Sequence, residues 1–256
     1  MPSFWNHTVF DPFGTNGVGA TSNLSLFLGT ALGVPTTVRA SNSVGYFLPP
    51  NLGGFYGQVM YAFGEVAEPV TPAGSDKNDG RYVGLRLGFA SGPFNIAAAY
   101  GRTDATSVLG ALTAAPFSVV VPAGSQIDYI NQNIAGQWDF GMAKLMGHWN
   151  QEKIKGFGET AKHTTWMLGT LVPVGAGEIR ASYTRGKGDD DFVRGDQIAI
   201  GYVHNLSKRT AVYTTFSRVN NKDSADINYN NGLAVTSGAN TGGNSRGFDL
   251  GIRHSF

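Results

Sequence analysis

The densest group of hard oxygen ligands in this chain is Asp189-Asp190-Asp191 with Asp196 close behind, a set that could hold Ca²⁺. Charge runs of this kind more often mark solvated loops. His7, His148, His163, His204 and His254 stand far apart, and no two have the spacing of metal ligands. Gly14–Gly19 (GTNGVG) has the glycine content of a phosphate cradle but lacks the Lys-Ser/Thr ending and any helical pattern after it. No Ser stands in a nucleophile-elbow context, and the chain has no Cys. These residue types lead us to expect no enzyme, cofactor or metal site. What remains is a set of basic residues, Arg39, Arg86, Lys144, Arg180 and Arg253, which parity places opposite the apolar side chains. Their use depends on the elements that carry them.

Those elements show in a period of two. Val83, Leu85, Leu87 and Phe89 alternate with Gly84, Arg86 and Gly88. At the carboxy terminus Phe248, Leu250, Ile252 and His254 alternate with Gly247, Asp249, Gly251 and Arg253, and the chain ends on Phe256. Similar alternation over Ser41–Leu48, Phe55–Glu65, Phe94–Thr103, Ile127–Phe140, Met142–Lys155, His163–Pro173, Glu178–Gly186, Asp196–Asn205 and Thr210–Asn220 predicts about eleven antiparallel strands. Short turns join them on one side. Long loops rich in Gly, Asp and Asn join them on the other, as in a transmembrane β-barrel.

Composition agrees with this fold class. Only 14% of residues are charged, against about a quarter in soluble domains. Yet the mean hydropathy is −0.12, and no apolar run is long enough for a membrane helix. The balance of +1 and the absence of a basic run point away from nucleic acid. The rival all-β fold is a soluble sandwich, which would bury the apolar face of each strand between two sheets.

Several segments resemble one family. Asp11-Pro12-Phe13-Gly14 followed by Arg39–Tyr46 resembles an infolded third loop and the strand after it. Gly53-Gly54-Phe55 with Met60-Tyr61 resembles the next hairpin. Pro173–Tyr183, Leu206–Tyr213 and the ending Gly251–Phe256 are the most specific matches. Together they resemble the general porins of Gram-negative bacteria, of the neisserial and β-proteobacterial type, which are trimeric sixteen-stranded barrels. The resemblance implies an outer-membrane, water-filled channel passing ions and small hydrophilic solutes by diffusion, with no catalysis.

Members of that family begin with a signal peptide and five further strands. By this likeness, residues 1–256 are one porin barrel domain, its carboxy-terminal two-thirds, with 1–38 as the infolded constriction loop region. A barrel so cut would be incomplete or open, and a non-functional fragment is the alternative reading. The expected partners are outer-membrane lipid, two further copies in the intact parent, and the barrel-insertion machinery, which reads the strand ending at Phe256. Extrapolated parity turns Arg39, Arg86, Lys144, Arg180 and Arg253 into the lumen, with Asn95, Asn131, Asn133, Asp139, Glu178 and Asp249. They would either solvate the wall or line a constriction whose transverse field orders ions. Their basic surplus implies a mild anion preference.

Overall fold

A computed structural model of the chain describes residues 1–64 apart from 16, 32 and 35, and then 78–106, 126–156, 159–189, 193–222, 227–230, 236–237 and 243–255. Three short helices come first, α1 (Pro2–Val9), α2 (Ser22–Ser25) and α3 (Phe27–Ala31). The strands β1 (Ser43–Phe47), β2 (Phe55–Ala62), β3 (Tyr82–Ser91), β4 (Phe94–Thr106) and β5 (Gln126–Asp139) follow. Next come β6 (Lys144–Gly156), β7 (Glu159–Val174), β8 (Gly177–Gly188), β9 (Arg194–Asn205) and β10 (Thr210–Asn221). A two-stranded ribbon of β11 (Ile227–Asn228) and β12 (Thr236–Ser237) precedes the last strand, β13 (Ser245–His254).

Eleven strands, β1–β10 and β13, make one antiparallel sheet in chain order. Among the described residues β1 and β13 each pair on one side only, so the sheet is open. The register joins Leu87, Ala98, Ile134, Trp149 and Trp166 in one row across β3–β7. One residue along, the row is Arg86, Ala99, Asn133, Asn150 and Thr165, on the opposite face.

The two faces are the reverse of a soluble sandwich. Leu168, Ile200 and Leu250 are 53%, 55% and 75% exposed, whereas the polar Asn150 and Glu152 on the other face are fully buried. Apolar groups left bare and polar groups covered is the arrangement that lipid outside and water inside require. The chain is an all-β transmembrane barrel fold, with an oily outer wall and a polar inner one.

Several strands run further than alternation implied. The β7 strand starts at Glu159 instead of His163, and β8 with β9 extends to Gly188 and Arg194, leaving only 189–193 between them. One connection on the long-loop rim, 157–158, is also short.

Candidate functional site: the lined inner wall

The described residues of 1–37 lie against the inner face of the sheet. Helix α1 packs on β3, β4 and β5. Its Asn6 Nδ2 donates to Asn133 Oδ1 at 2.7 Å, and Asn133 Nδ2 donates to the Ser3 carbonyl at 2.7 Å. Further on, the segment reaches the other end of the sheet. The Val18 amide donates to Asp249 Oδ2 at 2.7 Å, and Gln197 Nε2 donates to the Val18 carbonyl at 2.7 Å. It then turns back, with Asn150 Nδ2 on the Ser25 carbonyl at 2.7 Å and the Thr36 and Thr103 hydroxyls 2.6 Å apart. The glycine turn at 14–19 thus meets a carboxylate of the wall. At Gly17, φ is +82°, a left-handed conformation that favours glycine, and a Cβ would come within 2.2 Å of Asp249 Oδ2, so a larger residue would have to displace that carboxylate.

Glu152 of β6 anchors the return. Its Oε2 accepts the Leu28 amide at 3.0 Å and faces His163 Nδ1 at 3.1 Å. Its Oε1 accepts the Gly29 amide at 3.0 Å and the Tyr129 hydroxyl at 2.7 Å. Each carboxylate oxygen therefore has two partners, which is what lets this fully buried acid be tolerated. His163 Nε2 lies 2.6 Å from the Tyr229 hydroxyl, which comes from the connection after β10. Tyr229 lies over Gly186 and Gly195, where any Cβ would come within 2.5 and 2.8 Å of it. Phe27 closes the group, with its ring centroid 5.3 Å from that of His163 and 5.1 Å from that of Tyr229.

Space remains on the far side. A cavity of about 410 Å³ lies between Phe13 and Gly17 of the segment and the wall formed by β8, β9, β10 and β13. Arg180, Arg253, Asp249 and Tyr213 line it. Arg180 is ion-paired with Glu178. Behind Phe13, burial pushes the Asp11 carboxyl up to about 7, against the field of Arg180 and hydrogen bonds from the Phe13 and Thr21 amides. In α1, burial pushes His7 down to about 4. The His7 ring meets that of His148 edge-on at 4.4 Å.

The basic residues singled out from the sequence separate into different settings. Arg86 lies on the inner face, where its Nε donates to Asn6 Oδ1 at 2.7 Å and its guanidinium lies 4.9 Å from the Tyr56 ring centroid. Arg180 and Arg253 come together at the cavity. Lys144 shares the inner face but sits at the short-turn rim, 3.7 Å from Asp139. Arg39 is exposed in the irregular stretch before β1, where no strand parity sets its direction.

Of the acidic run, Asp190 and Asp191 lie outside the described residues, as does Phe256. Asp196 holds Lys222 Nζ at 2.7 Å, and among the described residues no three His or acidic groups converge as a metal site. Sequence reasoning missed the Glu152 cluster and the His7–His148 contact. Inward parity was the one signal available for Glu152.

Comparison with known proteins accords with this geometry. The model of a Gram-negative porin family matches residues 1–224. Outer membrane porin protein 32 of Delftia acidovorans is 30% identical over the whole of this chain, which spans 68% of that protein's length. An outer membrane porin protein of Bordetella pertussis is 26% identical over 82% of this chain, which spans 58% of its length. Among solved structures, the trimer form of OmpT, an outer membrane protein of Vibrio cholerae, superposes with a TM-score of 0.62 at 12% identity, over 90% of this chain and 68% of its own. That likeness concerns the fold alone. The chain belongs to the Gram-negative porins, proteins of the outer membrane.

Proposed function

We propose that this chain supplies the wall and the infolded segment of a passive diffusion channel with a mild preference for small anions. One observation carries the reading: the roughly 410 Å³ cavity left between the segment and the inner wall, with Arg180 and Arg253 on its lining. Residues 1–38 are the constriction, and Arg86 is held out of the passage by Asn6 and Tyr56. In the intact assembly three such barrels associate, their outer walls meet acyl chains, and the insertion machinery engages β13 with Phe256. The trimer form of the Vibrio neighbour supports the association.

Planar-bilayer recording of the refolded chain tests this. Stepwise conductance with a reversal potential of anion sign is expected under a salt gradient. Conductance with cation preference would refute the proposed role of Arg180 and Arg253. The second reading is a chain that does not conduct by itself, favoured by the one-sided pairing of β1 and β13. Unsatisfied backbone groups at those edges would cost several kcal/mol each in lipid. Absence of any steps from correctly folded protein would establish it.

A further inference from the structure

Two imidazoles and two thioethers meet on the inner wall, outside the cavity described above. His148 of β6 and Met167 of β7 are direct partners in the register, and Met146 stands two residues along β6 on the same face. The ring of His7, carried by α1, meets that of His148 edge-on. His7 is fully buried, and Met167, Met146 and His148 are no more than 5% exposed. Spacing along the chain hides this set, because its members come from three elements.

The covering segment closes over the group. Gly169 of β7 is the register partner of Met146. A Cβ at Gly169 would come within 3.1 Å of Met167 Sδ and 2.5 Å of Pro12 Cγ. The Met167 sulfur therefore leans along β7 toward the row of Met146, beside the proline ring. The polar atoms beneath this roof lack partners. Among the described residues, neither nitrogen of His7 nor Nε2 of His148 has a formed hydrogen bond, and all three are shut off from solvent. Bare nitrogens are uncommon in a protein interior, because each gives up water without replacement. The burial that pushes His7 down to about 4 keeps its ring neutral at ordinary pH, with a lone pair to give. The Ser3 carbonyl, one turn back in α1, favours a proton on the same ring. A metal-bound imidazole commonly turns its second nitrogen to such a carbonyl.

A cation would supply the missing partner, and the ligand types say which kind. Thioether and imidazole without a carboxylate suit a soft ion of low charge and are poor ligands for Mg²⁺ or Ca²⁺. Glu152, the one acid of β6, has both oxygens engaged elsewhere. Two imidazoles that reach one ion at a right angle, each through a nitrogen about 2 Å away, have ring centroids about 4.5 Å apart. The centroids of His7 and His148 are 4.4 Å apart. We propose that His7, His148, Met146 and Met167 form a site for a soft monovalent cation, of which copper(I) is the biological example, and that the bound ion fastens α1 to β6 and β7.

The test is equilibrium dialysis of the refolded full chain, in nonionic detergent and chloride-free buffer, against silver(I). Silver(I) has the same charge and softness and needs no reductant. One ion per chain is expected. The M146L/M167L variant keeps the core volume and should lose at least about 100-fold in affinity, since even an outer partner of a ligand is worth about 10–100-fold. His148→Leu should lose as much. M60L/M142L alters methionines away from the group and should bind as the unaltered chain does. Zinc(II) should bind at least about 100-fold more weakly than silver(I). If M146L/M167L fails to fold, the unaltered chain labelled with ¹³C at its methionine methyls answers instead. Silver(I) should then shift the Met146 and Met167 resonances and leave Met142 in place. Absence of bound silver, unchanged affinity in M146L/M167L or His148→Leu, or zinc held as tightly as silver would overturn the proposal. So would a shift confined to Met142, and the four side chains would then be packing alone.

Discussion

A buried carboxylate is costly unless every lone pair finds a partner, and Glu152 shows how the inner wall meets that demand. Replacing it with Gln keeps the volume but turns one acceptor oxygen into a donor, so two of its partners lose their acceptor. The expected cost is about 2–4 kcal/mol. It should fall on the segment, not the strands. Hydrogen exchange should quicken at the Leu28 and Gly29 amides while β8–β10 stays protected, and uniform quickening would contradict the anchoring role.

Asp11 and His7 make a second, subtler pair. Asp11 titrates at about 7 when docked against 3.8 when free, so its contribution is complete below 3.8 and is lost as pH rises to about 7. His7 titrates at about 4 against 6.5, so its contribution is complete above 6.5 and is lost as pH falls to about 4. The slopes oppose each other. Unaltered chain should therefore hold its segment with little pH dependence, as read by limited proteolysis of residues 1–37. His7→Leu should make docking weaken with rising pH, and Asp11→Asn should make it weaken with falling pH. Matching profiles in all three proteins would remove both residues from the account.

At the scale of elements, β8 and β9 are shaped by what lies on them. Gly186 and Gly195 face each other in the register and leave room for Tyr229, which brings a loop residue down onto His163. Gly195→Val should expel the ring and lower stability by about 2–3 kcal/mol, while Tyr229→Phe, which keeps the ring, should cost only about 1 kcal/mol. Thermal unfolding in detergent distinguishes them, and equal losses would show that packing is not what Gly195 protects. The same strands explain what the sequence could and could not reveal. Alternation betrayed β3 and β13 because their outward residues Val83, Leu85 and Leu87, and Phe248, Leu250 and Ile252, are apolar and exposed one after another. It missed the start of β7, Glu159–Lys162, because Ala161 is the one apolar residue among these four and a period of two needs several to show. Glu152 could be assigned a face by parity. Its partners Leu28 and Gly29 could not, since no local pattern encodes which distant amides a loop will present. Arg39 defeated parity for a plainer reason, being on no strand.

Across the whole molecule, a net charge of +1 hides a separation. Lys153, Lys155 and Lys162 crowd the outer rim, while on the inner wall Glu178 is paired with Arg180 and Asp249 is held by the Val18 amide. Arg253 is then the cavity's basic group least committed to a partner, and any anion preference should rest on it more than on Arg180. Arg253→Gln should cut the reversal potential by more than half, whereas Asp249→Asn should loosen the segment and broaden conductance without raising selectivity. Salt separates a local field from a steric filter. The screening length is about 10 Å at 0.1 M and about 3 Å at 1 M, so a preference set by one guanidinium beside a water-filled gap should be clear at the lower salt and nearly gone at the higher. Selectivity that persisted undiminished at 1 M would mean that shape, and not Arg253, does the sorting.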